Sequence, residues 1–318
     1  MTVRAFSTRV LGGKSLVYDP ATELTHLAPQ VLAPGRCWLD DTQVTAWQPV
    51  FQRQVATPVP FNVCWSPIVR CNLECPQCLD DKTVQELRSA ERARIARILA
   101  SSGTLGLDIS GGEPLLLRDL AALGRTLRSA SAVVSCTTNG WHLARRAPEL
   151  VGVFDAIRVS LDGPTAATHD RWRGAGSFDR ACEGVRAAVR AGLPVQLHFV
   201  VMQSTADGMQ QMADLAARLG AGGVTFLQML PIGDGQALRD TQMLSDAQAR
   251  THLDVVNPPP EVRVRLRTRE IADAFTVVRA DGKVWRNTDQ ANEISALRRL
   301  IRAEDLHLPV PVLQGSTS

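Results

Sequence analysis

Between residues 61 and 233, short apolar runs alternate with longer segments whose apolar residues recur every three or four positions. This is the pattern of strands alternating with helices in an α/β fold with parallel strands. It predicts strands at 61–68, 105–109, 132–136, 156–161, 195–202 and 224–229. The intervening helices are predicted at 83–100, where Val84, Leu87, Ile95 and Ile98 share a face, around Leu117, Leu120, Leu123 and Leu127, at 178–191 and at 209–219. Six such units make a partial (β/α)6 TIM-like barrel. Right-handed crossovers would put the helices outside and gather the C-terminal strand ends at one mouth, where sites form in such folds.

Residues 1–60 read as short strands and turns, a small β-rich cap; residues 61–235 are the barrel. Residues 236–318 are a short α+β extension, with a linker to Pro258-Pro259-Pro260, strands at 262–266 and 275–279, a hairpin turn at Asp281-Gly282, a helix at 292–303 and a frayed tail from 308. The cap and the C-terminal hairpin are expected to close the barrel mouth.

Composition narrows the class. With 45% hydrophobic and 21% charged residues in 318, the chain is globular, not disordered, collagen-like or coiled-coil. The 35 Lys and Arg against 32 Asp and Glu leave a net charge of +3, which argues for no nucleic-acid partner. The basic segment Arg263-Val-Arg-Leu-Arg-Thr-Arg269 alternates with apolar residues like a half-exposed strand. Apolar runs are strand-sized and the N-terminus lacks the apolar core of a signal peptide, so no membrane association and a cytoplasmic location are expected. Seven cysteines are an odd number, and three fall within the loop Cys71-Asn-Leu-Glu-Cys75-Pro-Gln-Cys78, too tight for a disulfide framework.

That loop follows the first predicted strand. Three soft thiolates in one loop suit an iron–sulfur cluster, or a zinc knuckle completed by Cys64 or a distant cysteine. After the second strand comes Gly111-Gly112-Glu113-Pro114, where the absence of a Cβ lets backbone approach a ligand closely. Together the two motifs resemble the radical S-adenosylmethionine (radical SAM) superfamily. The resemblance implies one [4Fe–4S] cluster on Cys71, Cys75 and Cys78, with its open iron chelated by S-adenosylmethionine. It implies that Gly111, Gly112, Glu113 and Pro114 take the methionine amino group, and that the hydroxyls of Thr138 and Ser160 bond the methionyl or ribose part. Asn139 and Asp162 lie in the adjoining turns, and Met229 and Leu230 match the segment flanking the adenine, with core packing the alternative for Met229. Arg173 is a candidate partner for a cofactor or substrate carboxylate, or a solvated surface residue. An electron donor such as a flavodoxin or ferredoxin is implied.

The segment from Ser160 through Gly174 resembles the subgroup containing molybdenum-cofactor cyclases, haem-pathway enzymes and peptide-modifying enzymes with a SPASM or twitch extension. There are departures. Gln77 replaces the aromatic residue usual before the last cysteine, and the hairpin 277–285 is not followed by an auxiliary-cluster cysteine, Cys182 being the last in the chain. His198 replaces a polar Asn and is a candidate for substrate binding or proton exchange, or a hydrogen-bonded core residue. Cys37, Cys64, Cys136 and Cys182 pack as small apolar residues by default; Cys136, on the side of its strand shared with Thr138, is the candidate hydrogen-atom donor. The substrate expected first is a peptide, with residues 16–26 a shortened precursor-binding β-ribbon; the alternative is a small molecule such as a sugar, isoprenoid or cofactor precursor. A non-enzymatic iron–sulfur or zinc regulator is the reading from another class.

Overall fold

The structure, a computed structural model, describes residues 3–128, 130–269, 275–286 and 298–308. Its centre is a run of parallel strands, β6 (Asn62–Trp65), β7 (Gly106–Ile109), β8 (Val133–Thr138), β9 (Ala156–Ser160), β10 (Val195–Val201) and β11 (Gly223–Gln228), each paired to the next in register. Helices pack outside: α2 (Ser89–Ala100), α3 (Leu120–Arg128), α4 (Leu143–Leu150), α5 (Ala166–Arg173), α6 (Ser177–Arg190) and α7 (Met209–Leu219). The reason lies in the pattern. In α7, Met209, Met212, Ala213, Ala216 and Leu219 form one buried stripe, and Gly220 ends the helix in the left-handed conformation. The largest hydrophobic core lies between this helical layer and the outward faces of the strands, at Ile109, Val134, Ile157, Leu197 and Phe226.

The six-unit barrel is extended on both sides by the C-terminal residues. β12 (Arg263–Arg267) pairs parallel with β11, and β13 (Thr276–Val278) pairs parallel with β6, so eight parallel strands curve around the interior. β14 (Lys283–Arg286) returns antiparallel to β13 through the Asp281-Gly282 turn and pairs with β15 (Arg298–Arg299). Two short helices, α8 (Arg239–Gln242) and α9 (Asp246–Asp254), occupy the stretch expected to be a linker. Ser245 caps α9 by a capping box with Gln248. The helix expected at 292–303 falls partly outside the described residues; 298–299 are strand, and Ala303–Leu306 is a 3₁₀ turn. No helix among the described residues is long and apolar enough to cross a membrane.

The N-terminal residues form a five-stranded antiparallel sheet from β1 (Val3–Leu11), β2 (Lys14–Tyr18), β3 (Thr25–Ala28), β4 (Gly35–Asp40) and β5 (Pro49–Val50), with α1 (Asp41–Thr45) following β4. Contrary to the expectation that the cap would close the mouth, this sheet seals the opposite end. Ala5, Leu16 and Tyr18 pack with Phe61, Leu105 and Val133, residues at the N-terminal ends of barrel strands. Ser7 donates to Ser131 O, and Arg36 pairs with Asp155 and donates to Ala132 O, all in loops at that same end. Gly106 is required there, because a Cβ would overlap the Tyr18 ring. The β2–β3 ribbon is therefore the barrel's floor.

Candidate active site

The C-terminal strand ends surround one cavity. Cys71, Cys75 and Cys78 line it from the loop after β6, Gly111 and Gly112 from the turn after β7, and Thr138 and Asn139 from the end of β8. Ser160, His198 and Arg173 complete the wall on the far side.

The cysteine loop is held from several directions. Gly112 N–H donates to Ile68 O (2.8 Å) and Glu113 N–H to Arg70 O (2.9 Å), so the glycine turn docks backbone to backbone on the segment entering the loop. A Cβ on Gly112 would overlap the carbonyl oxygens of Val69 and Arg70, and Gly111 has φ +113°. Glu86 accepts from the N–H groups of Val69 and Arg70, both at 3.0 Å. Within the loop, buried Gln77 donates to Asp162 Oδ2 of the opposite wall (2.7 Å). Asp162 also accepts from Arg173 Nε (2.6 Å) and Val200 N–H (2.8 Å), which makes it the hub joining the cysteine loop, α5 and β10. The residue that departs from the family pattern, Gln77, is thus a tie between the loop and β9.

Glu113 is fully buried and turned away from the cavity. It accepts from Leu115 N–H (2.8 Å), Thr138 Oγ1 (2.7 Å) and Asn139 N–H (2.8 Å). Asn139 in turn reaches across the mouth, with Nδ2 3.0 Å from Asn72 Oδ1 and 3.7 Å from Cys71 Sγ. The Gly-Gly-Glu-Pro and Thr-Thr-Asn-Gly motifs are therefore one hydrogen-bonded unit, with Pro114 opening a 3₁₀ turn behind it.

Burial pushes the three loop thiols above the ordinary thiol range; Arg173 and Lys82 oppose this at Cys75, and the Leu73 N–H and Asn139 amide oppose it at Cys71. Burial also raises Asp80, beside Cys78 on the cavity wall, to about 6. Among the described residues no three His, Cys, Asp or Glu side chains converge as a site for a single ion. Three thiols around one cavity, each at its own place, fit a cluster in which every thiolate meets a different iron.

Other expected residues fall elsewhere. Cys136 faces the helices, because Ser135 and Thr137 are the interior residues of β8, both bonded to Asp108; the barrel-facing thiol assigned to it from sequence is corrected to Cys64. Met229 packs with Trp172 and Met202, and Leu230 with Cys64, Ile232, Val277 and Trp285. His169 bonds its Nδ1 to the Asp162 N–H (3.0 Å), and Asp170 caps α6 through the N–H groups of Gly176 and Phe178.

Below the mouth the interior is charged, which the motifs did not announce. Arg158 on β9 is fully buried; it pairs with Asp108 of β7 and, at 3.0 Å, with Glu23, which rises from the β2–β3 turn. Arg267 holds the other Glu23 oxygen at 2.6 Å. Burial and the Arg158 charge hold the His198 imidazole neutral, well below its ordinary pKa. Asp108 and Arg158 were legible in one respect, as charges inside otherwise apolar strands (Leu107-Asp108-Ile109, Ile157-Arg158-Val159).

The family model described as "Radical SAM superfamily" matches residues 65–216, the segment that carries the cysteine loop and both glycine-bearing turns. That matched segment, a little under half of the chain, is similar to the radical SAM domain. An AdoMet-dependent heme synthase of Methanosarcina barkeri is 32% identical over 189 residues, covering 56% of this chain and 53% of the relative. A pre-heme d1 synthase of Dinoroseobacter shibae is 30% identical over 207 residues, covering 63% and 50%. A probable GTP 3',8-cyclase of Saccharolobus islandicus is 31% identical over 172 residues, covering 52% and 56%. The chain thus spans about half the length of the curated relatives it matches. Among solved structures, Streptococcus suis SuiB bound to its precursor peptide SuiA aligns with TM-score 0.61 at 13% identity, covering 71% of this chain and 59% of SuiB. Native anSMEcpe with bound AdoMet aligns with TM-score 0.52 at 17% identity, covering 71% and 73%. At those identities the likeness is one of fold. The radical SAM family uses a [4Fe–4S] cluster and S-adenosylmethionine, and Cys71, Cys75 and Cys78 are three thiols grouped on the wall of this cavity.

Proposed function

We propose that the protein is a radical SAM enzyme that reductively cleaves S-adenosylmethionine and removes a hydrogen atom from a substrate inside the barrel. The observation that carries this reading is the meeting of three loop thiols and the Gly111-Gly112 turn on the wall of one cavity at the strand C-termini. Cys71, Cys75 and Cys78 would hold the cluster, which, given an electron from an external reductant, would with S-adenosylmethionine supply one-electron reductive cleavage and the power to take a hydrogen atom from substrate. The protein's part is orientation and exclusion of water. The Glu113–Thr138–Asn139 unit fixes the cofactor side of the mouth, Asp162 and Arg173 fix the other, and the N-terminal sheet keeps water from entering below.

For the substrate, a small polar molecule is the reading supported by the charged interior and by relatives named for haem and GTP chemistry. A peptide, the class expected from the 277–285 hairpin, would have to present one side chain through the same mouth. The test is anaerobic. Reconstituted protein given dithionite and S-adenosylmethionine should form 5′-deoxyadenosine and methionine in equal amounts, and none without reductant; binding of one zinc with no cleavage would sink the proposal and return the regulator reading.

A further inference from the structure

The strand β12 is half-exposed along its length, as expected, and its arginine face turns toward the barrel interior. Val264 and Leu266 pack on the helical core, while Arg263, Arg265 and Arg267 take the inward register. Arg263 is bonded by Asp41 at the floor, within a balanced set that also contains Arg4 and Asp19. Above that set, among the described residues, three guanidinium groups, Arg158, Arg265 and Arg267, lie over two ion-pairing carboxylates, Asp108 and Glu23, with Asp19 acting on Arg265 only at longer range. Both carboxylates are already taken. Arg265 Nη1 is buried without a hydrogen-bond partner among the described residues, and burial with the Arg267 charge lowers the Arg265 guanidinium to about 10. His198 is 6% exposed, lines the cavity, and has a buried Nε2 without a partner. Arg267 also lines the cavity; it spends Nη1 on Glu23 and lies 5.4 Å from the Phe275 ring centroid.

Glu23 adds a second sign that this layer is built for a purpose. It is the one non-glycine residue among those described with positive φ (+59°), held so by the Asp19 turn, in which Asp19 accepts from Ala21 N–H and Thr22 Oγ1, both at 2.8 Å. A strained backbone whose side chain orients two arginines is a reason to look for function there. An uncompensated buried positive charge is costly, and an anion is what offsets it.

We propose that the inner end of the cavity, at His198 and Arg267 with Arg265 beneath them, is the subsite for an oxyanion of the substrate, a carboxylate or a phosphate. The inference rests on the substrate entering the barrel as described above. An anion anchored at this depth leaves the body of the substrate between the charged layer and the cysteine loop, so that one C–H faces the mouth. A guanidinium and a neutral imidazole N–H suit either oxyanion.

The experiment is thermal unfolding of the reconstituted protein titrated with inorganic phosphate and, separately, with succinate, for wild type, Arg265→Met and His198→Gln. Wild type should gain midpoint with at least one anion, and the responding anion identifies the group. Apparent affinity should fall at least tenfold in either variant. Without added anion, Arg265→Met should raise the midpoint, because it removes an unpaired charge; an arginine of purely structural value would lower it. Should Arg265→Met not fold, an arginine of structural value is the reading and the inference is overturned unless His198→Gln, folding normally, loses the anion response. Equal responses in all three proteins, an adventitious ion only, overturn the proposal, as does loss of the response when saturating S-adenosylmethionine is added without reductant. Formation of 5′-deoxyadenosine by wild type in the same preparation reports separately whether the radical SAM reading stands.

Discussion

The two ends of the barrel are built by different means. At the mouth, a loop of three thiols is fixed by backbone: glycines that permit carbonyl contacts, N–H groups given to Glu86 and Glu113, and one buried carboxylate, Asp162, gathering Gln77, Arg173 and Val200. At the floor, a separate sheet is fixed by side-chain charge, with Arg4, Asp19, Asp41 and Arg263 in one group and Glu23, Arg158, Asp108 and Arg267 in another. A backbone-built rim leaves its side chains for ligands. A charge-built floor holds only while each ion keeps its partners, and it sets the polarity of the chamber above.

If the ends are separable, changes at the floor should cost stability and changes at the mouth should cost cofactor. The largest expected effect is at the floor: Glu23→Ala leaves Arg158 and Arg267 buried without that partner and should cost roughly 3–5 kcal/mol in denaturant unfolding. Iron bound per folded chain should stay at the wild-type value; iron lost from a fully folded variant would break the comparison. Gly112→Ala tests the other end. Its Cβ meets the carbonyls of Val69 and Arg70, so roughly 1–3 kcal/mol of strain should appear together with a severalfold drop in iron loading. Normal loading in a folded protein would show that the glycine turn does not set the cysteine loop.

Acid separates the two ends without mutation. Burial pushes Asp19 upward, but the charge and hydrogen bonds of Arg4 outweigh it and bring Asp19 from 3.8 down to about 2. A depressed carboxyl contributes its stability above its unfolded pKa and loses it as pH falls through the folded one. The floor should therefore weaken between about pH 4 and 2, by roughly 2 kcal/mol from this group. An Asp19→Asn protein should be less stable at neutral pH and show a shallower loss over that window. The smallest effect is a control outside both ends: Asp170→Ala removes the cap of α6 and should cost about 1 kcal/mol with iron loading unchanged.

The same contrast explains what could be read in the sequence. The mouth was legible because its residues lie in short motifs at predicted strand ends: Cys71, Cys75 and Cys78, Gly111-Gly112 and Asn139 all line the cavity. The parallel strands and the helices α3, α6 and α7 followed from periodicity, with β12 and β13 flanking the six-strand barrel as the addition; α2 begins at Ser89, so Val84 and Leu87 lie before it, and α4 was not predicted. The floor was not legible. Glu23 and Arg158 stand far apart in the chain, and no local pattern says that a β-ribbon turns beneath a barrel. The alternation of β12 was visible, but alternation gives two faces without saying which is inside; here the charged face is inward because the apolar one meets the helices. Cys136 failed for the same reason, since Val134 and Cys136 lie on the helix side of β8, whereas Thr138, at the strand end, reaches the cavity. The helix α5 was missed because its buried residues, His169 and Trp172, are too few to set a period.

The most direct measurement is a cysteine series read for iron content and for 5′-deoxyadenosine formed from S-adenosylmethionine under dithionite. Cys71→Ala, Cys75→Ala and Cys78→Ala should each lose the cluster and the cleavage while remaining folded. Cys64→Ala and Cys136→Ala should keep about four irons per chain and cleave at near the wild-type rate. Full iron and cleavage in any of the three loop variants, or loss of both in Cys136→Ala while it stays folded, would contradict the assignment of the cluster to the loop at the barrel mouth.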